Sequence, residues 1–147
     1  MKNTFKNIYL KQVVKISGSV NGKHNIIQDQ LITDIVERVR HNIATIQANG
    51  LIELYYQGSL VKQLVVLESM VTLEDIENGK QVTIAVTDDT TDEYTIDELR
   101  LISARSGYDG SGGSATYSIY TLATTVTKTS SDILHITWQL QFVRGGS

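Results

Sequence analysis

Ser130–Phe142, SSDILHITWQLQF, is the stretch from which the rest of this chain is read. Leu134, Ile136, Trp138, Leu140 and Phe142 occupy every second position, with His135, Thr137, Gln139 and Gln141 between them. Successive strand side chains point to opposite faces, so the alternation describes one strand with an apolar and a polar face. The apolar five are the expected structural core. Removing Trp138 is expected to cost about 3–5 kcal/mol if its ring is fully buried.

Upstream of this strand, TKTSSD reads as a chain reversal. Ser130, Ser131 and Asp132 carry short polar side chains that bond to nearby backbone amides. ATYSIYTLATTV is the strand that enters the turn, and its in-phase Tyr117 reads as core or cross-strand packing. The glycine-rich SGYDGSGGS separates that strand from YTIDELRLISA, which sets Leu99 and Leu101 on one face and Ile102 on the other. QVTIAVT turns Val82, Ile84 and Val86 inward, and LEDIENGK reads as a polar turn closed by Asn78-Gly79. LIELYYQGSLVKQLVVLESMV reads as two strands meeting at Gln57-Gly58-Ser59.

One helix is expected, over about residues 26–48. Ile32, Val36, Val39, Ile43 and Ile46 recur at three- and four-residue steps, and Ile27, Leu31 and Ile35 widen the stripe. Asn25 with Gln28 resembles a capping box, and Gly50 suits a left-handed stop. So wide a stripe predicts contact with a neighbouring subunit as well as with the chain's own sheet. Residues 1–24 read as an N-terminal arm or first strand, with Phe5 and Ile8 as interface residues. Residues 25–147 form a single β-rich domain. The fold class is α+β and mainly β: an antiparallel sandwich or sheet with one long amphipathic helix near the N-terminus.

Composition narrows the function. The chain has 147 residues with no cysteine and no proline, where average proline usage is about 5%. Disulfides and thiolate metal sites are therefore excluded. Apolar content of 41% and charged content of 20% indicate a folded chain. A net charge of −3 provides no basic field for nucleic acid. No apolar run approaches the roughly 20 residues that cross a bilayer, so a soluble protein, with no membrane partner and no export signal, is expected.

The candidate chemistry is sparse. His24, His41 and His135 lie in different elements without metal-ligand spacing, so no metal site is expected and His135 reads as a surface side chain. Asp88, Asp89, Asp92 and Glu93 form the one acidic cluster. It lacks calcium-loop spacing and reads as a solvated tip that discourages strand pairing. It is also the only cluster on which a hydrolase reading could draw, and such a site needs a defined carboxylate separation. SGYDGSGGS lacks the lysine and following helix of a phosphate-binding loop. It reads as a linker or, through Tyr108, Asp109 and Gly110, as a contact loop. With no nucleophile motif, no catalytic residues and no cofactor are assigned, and an enzyme is not expected.

Two stretches together carry a resemblance. TIDELRLISARSG, with Glu98, Leu99, Leu101 and Gly107, precedes Lys128, Thr129, Ser130, Ser131 and Asp132, then Leu134, Thr137, Trp138 and Phe142. Their order resembles a C-terminal β pattern in small virion structural proteins of tailed bacteriophages, of the tail-fibre, baseplate and neck types. The resemblance covers roughly the last third of the chain and brings no catalytic residues. It implies a virion protein assembled in the host cytoplasm, acting through homo-oligomeric contacts and contacts with other virion proteins. The alternative expectation is a receptor-binding or capsid-decorating module that takes a host-surface glycan on the Tyr108–Gly113 loop.

Overall fold

The strand that the alternation identifies, β10 (Asp132–Arg144), is flanked on both sides. β1 (Thr4–Ile16) runs parallel to it along its whole length, and β7 (Gly79–Asp88) runs antiparallel on the other side. A centrally placed strand with one face on a core and one on solvent needs the pattern this segment carries. Leu134, Ile136 and Trp138 are fully buried, and Leu140 and Phe142 nearly so. In this computed structural model the described residues are 4–16, 18–20, 23–25, 29–43, 52–103 and 114–145.

The fold is α+β and mainly β, with two four-stranded sheets sharing one core. β6 (Val71–Ile76) completes the first sheet, in the order β1-β10-β7-β6. The second sheet is ordered β5-β4-β8-β9, from β4 (Ile52–Tyr56), β5 (Ser59–Leu64), β8 (Tyr94–Ser103) and β9 (Ala115–Lys128). Short strands β2 (Gly18–Val20) and β3 (Lys23–Asn25) pair with each other. All pairs are antiparallel except β1 with β10, a departure from the antiparallel expectation. Of the two readings of the N-terminal segment, arm or first strand, Thr4–Ile16 takes the second: β1 is a full member of the first sheet.

The helix α1 (Asp29–Ile43) packs against β7, β10 and β8. Ile32, Val36 and Ile43 are fully buried in the shared core, and Val39 packs against it. The stripe expected to serve both the chain's own sheet and a neighbouring subunit is used inside the chain at its described core residues Ile32, Val36 and Ile43. The helix's apolar face packs on strands of both sheets, β7 and β10 of the first and β8 of the second, and so joins their shared core. The expected stop Gly50 and the flanks 26–28 and 44–51 lie outside the described residues. Asn25, expected as the cap, ends β3 opposite Gly18.

Turn chemistry follows the sequence in part. Gln57 and Gly58 both adopt positive φ, 49° and 81°, the two left-handed positions that a two-residue hairpin demands. Asn78, at φ 62°, turns β6 into β7. LEDI, expected in a polar turn, lies within β6, where Leu73 faces Val82 and packs on the core while Glu74 pairs with Gln81. A Cβ on Gly79 would sit 1.9 Å from the Phe142 carbonyl oxygen, so β10 crosses there at a distance only glycine permits.

Candidate functional site

At one end of the sandwich the chain crosses twice between sheets, from β7 to β8 and from β9 to β10. DDTTDE is therefore a loop that crosses between the two sheets. The residues that hold these crossings are polar and buried. Lys128, only 1% exposed, donates from Nζ to the carbonyls of Thr90, of Asp92 at 2.9 Å and of Thr129 at 3.4 Å. One side chain thus ties the β7–β8 loop to the β9–β10 turn.

Asp88 accepts from the Thr90 amide at 3.0 Å, the Thr90 hydroxyl at 2.6 Å and the Tyr94 hydroxyl at 2.6 Å. Burial pushes its carboxyl up, but the bonds from Thr90 and Tyr94 and the charge of Lys62 outweigh burial and hold it below its ordinary value. The same burial, together with the Asp88 bond, raises the Tyr94 phenol. Asp132 accepts from the Thr129 amide and hydroxyl at 2.8 and 2.9 Å, and these bonds hold its carboxyl low. Ser130 and Ser131 contribute mainly through backbone: Ser130 N–H donates to Glu93 and Ser131 C=O accepts from Thr4. Asp92 bonds Lys62 at 2.6 Å. Every acid of this corner with a described partner is engaged in structure. No group of three or more His, Asp or Glu side chains among the described residues could hold a metal ion.

The exposed chemistry lies along the other dimension of the sandwich. β1 and β9 are edge strands of opposite sheets. Gln12 on β1 links them: it accepts from the buried Trp138 indole N–H at 2.9 Å and donates to the Ser118 hydroxyl on β9. Above this link a groove of about 440 Å³ opens between the sheets. Val13, Val14, Val39, Leu101, Tyr117 and Phe142 supply most of its lining. The groove is apolar, with Gln12 and Ser118 its polar floor.

Both edges carry apolar side chains that a lone sandwich would cover. On β1, Phe5, Tyr9 and Val13 are 57%, 75% and 50% exposed. They stand four residues apart on the face opposite the buried Ile8 and Leu10. On β9, Tyr117, Ile119 and Tyr120 are 40%, 54% and 39% exposed. Ser118 and Tyr120 stand level with the buried Leu101 and Leu99, while Ile119 stands level with Arg100 on the outward side.

The expected residues are redistributed accordingly. Of those named as interface, Ile32, Val36, Ile43 and Ile8 are core; Phe5 remains exposed and stacks on the His135 ring at 5.2 Å. His135 is half-buried and bonds Thr87 at 2.8 Å, an ordinary surface-face role. Tyr117, expected as packing, lines the open groove. Tyr108, Asp109 and Gly110 lie outside the described residues. Tyr9, Val14, Ile119 and Tyr120 are additions that the sequence reading passes over. The signal for Ile119 and Tyr120 is present in ATYSIYTLATTVT, which is apolar on both strand faces and has no charge for thirteen residues. Comparison with known proteins finds no matching family, no matching curated protein and no matching solved structure.

Proposed function

We propose that this chain is a structural protein whose copies join one another and neighbouring proteins through exposed strand edges, as a component of a phage tail, neck or fibre-attachment region. The observation that carries the assembly reading is the apolar surface left exposed on the two long edge strands, at Phe5, Tyr9 and Val13 of β1 and at Tyr117, Ile119 and Tyr120 of β9. A free edge presents unpaired backbone donors and acceptors, and natural monomers blunt it. The phage setting is supported by the C-terminal pattern through Lys128–Asp132 and Trp138. Lys128 and Asp132 hold the two sheet crossings, so the resembling residues are those that fix the fold. No catalytic role is proposed for any residue.

Sedimentation velocity across about 1–100 µM, with negative-stain imaging of the largest species, tests the reading. A defined oligomer, such as a ring or closed cluster, supports it. A monomer throughout that range counts against it.

A further inference from the structure

Among the described residues, β1, β6, β5 and β9 form the outer edges of the two four-stranded sheets. β5 and β6 are each six residues long, and β9 is interrupted by two register shifts against β8. Short strands and bulges are two ways in which edges avoid pairing. β1 has neither. It follows β10 for thirteen residues without a register shift.

The direction of its free backbone groups follows from one bond. Thr4, whose Cα partner is Asp132, donates its N–H to the Ser131 carbonyl. In a parallel ladder, alternate residues aim both N–H and C=O at the partner strand and those between aim both away. The even residues of β1 therefore bond β10, and Phe5, Asn7, Tyr9, Lys11 and Val13 turn their backbone groups to the open edge. Side chains of these same odd residues lie on the face opposite the buried Ile8 and Leu10. The Gln12 side chain, which bonds Trp138 and Ser118, belongs to the even set and leaves the open edge untouched.

An antiparallel partner must place its own outward-bonding residues against these. A second copy of β1 does so when centred on Tyr9. Tyr9 then meets Tyr9, Phe5 meets Val13, Asn7 meets Lys11 and Ile8 meets Leu10 of the other copy. Aromatic pairs and aromatic residues opposite β-branched ones are among the cross-strand pairs that stabilise sheets. The exposed Phe5, Tyr9 and Val13 of both copies become one continuous apolar strip.

The lysines select this arrangement. Lys6 falls opposite Gln12 and Lys11 opposite Asn7, so no like charges are opposed. Sliding the copies one permitted step either way sets Lys11 against Phe5 or Tyr9, and a further step in one direction sets it against itself. In-register parallel pairing opposes each lysine to its own copy. The charges thus guard the edge against other pairings and leave one register open.

We propose that β1 pairs antiparallel with β1 of a second copy about a two-fold axis at Tyr9, joining two four-stranded sheets into one of eight strands. This inference rests on the assembly reading and names its contact.

The chain has no cysteine, so Tyr9→Cys introduces a single thiol. Directly opposed residues of a hydrogen-bonded antiparallel pair have Cα atoms about 5.5 Å apart, within disulfide range. Mild oxidation of the full-length variant is expected to give a disulfide-linked dimer on non-reducing gels. Asn7→Cys alone is expected to stay monomeric there, because the two thiols are offset by four residues, roughly 13 Å. Mixed with Lys11→Cys before oxidation, it is expected to cross-link. Tyr9→Lys sets like charges opposite each other and is expected to weaken dimerisation about tenfold in sedimentation, with an unchanged circular dichroism spectrum showing that it folds. If the wild type assembles while Tyr9→Cys cross-links no more than Asn7→Cys and Tyr9→Lys assembles normally, the β1 contact is refuted and the assembly reading stands. If the wild type is a monomer throughout, both fail together.

Discussion

Lys128→Met is the substitution that most directly tests how the two sheets are held in register. Methionine keeps most of the unbranched stem and its volume but removes all three donors of Nζ. The carbonyls of Thr90, Asp92 and Thr129 then lose their shared partner at a point where Lys128 is 1% exposed. Three bonds from a cationic donor, at about 1.5–3 kcal/mol each, set an upper bound of roughly 5–9 kcal/mol. Relief from keeping a buried ammonium out of water returns several kcal/mol of this. The acceptors stay behind unpaired, and for one-sided removal the typical cost is about 3–5 kcal/mol. The expected loss is about 3 kcal/mol, because loop carbonyls can recover some water. At this chain length that corresponds to roughly 6–12 °C in Tm. Urea unfolding followed by Trp138 fluorescence, with the slope m compared between variant and wild type, measures it. A loss under about 1 kcal/mol with unchanged m would show that the crossing loops do not depend on this lysine.

Three further outcomes follow from the same contacts. Trp138→Ala removes a fully buried ring and leaves Gln12 without its indole donor; a loss of about 3–5 kcal/mol is expected in urea unfolding, and a change under about 1 kcal/mol would remove Trp138 from the core. Gly79→Ala forces a Cβ into the Phe142 carbonyl; a cost of about 1–3 kcal/mol or more is expected in thermal melts, and a wild-type Tm would contradict the close approach. Because the Asp88 carboxyl is held low, its contribution is present above the unfolded Asp value near 4 and lost as pH falls through its folded value. The raised Tyr94 phenol contributes below the unfolded Tyr value near 10 and loses that contribution as pH rises further. Urea midpoints measured from pH 2.5 to 11 should fall at both ends, and Asp88→Asn should flatten the acid limb; an unchanged acid limb in that variant would clear Asp88 of the role.

Much of the core is legible in the sequence because a strand with one wet face must alternate. β10 and the Val82, Ile84, Val86 run of β7 read correctly for that reason. The hairpin at Gln57-Gly58 is legible because few residues accept positive φ. Alternation says which face is buried, not what lies to either side. It therefore did not show that β10 is central, that β1 runs parallel to it, or that DDTTDE joins two sheets instead of two neighbours in one. The helix illustrates the same limit. Its periodicity identifies an apolar stripe, but only the packing of α1 against β7, β10 and β8 determines that Ile32, Val36 and Ile43 face inward.

The edge strands mark where local pattern and three-dimensional context part company. In isolation, Tyr117 and Tyr120 are strong strand formers, and a strand former normally reads as packing. They become exposed because β9 has a neighbour on only one side, a property of topology that no window of sequence contains. What the sequence does contain is an omission. The lysines at 6, 11 and 62 and the acids at 74 and 75 guard the other three edges, while Ala115–Thr127 carries no charge at all. The edge is broken instead by two register shifts, opposite Ile96–Glu98 and opposite Leu101–Ile102, an edge-blunting device that a run of uncharged residues does not announce.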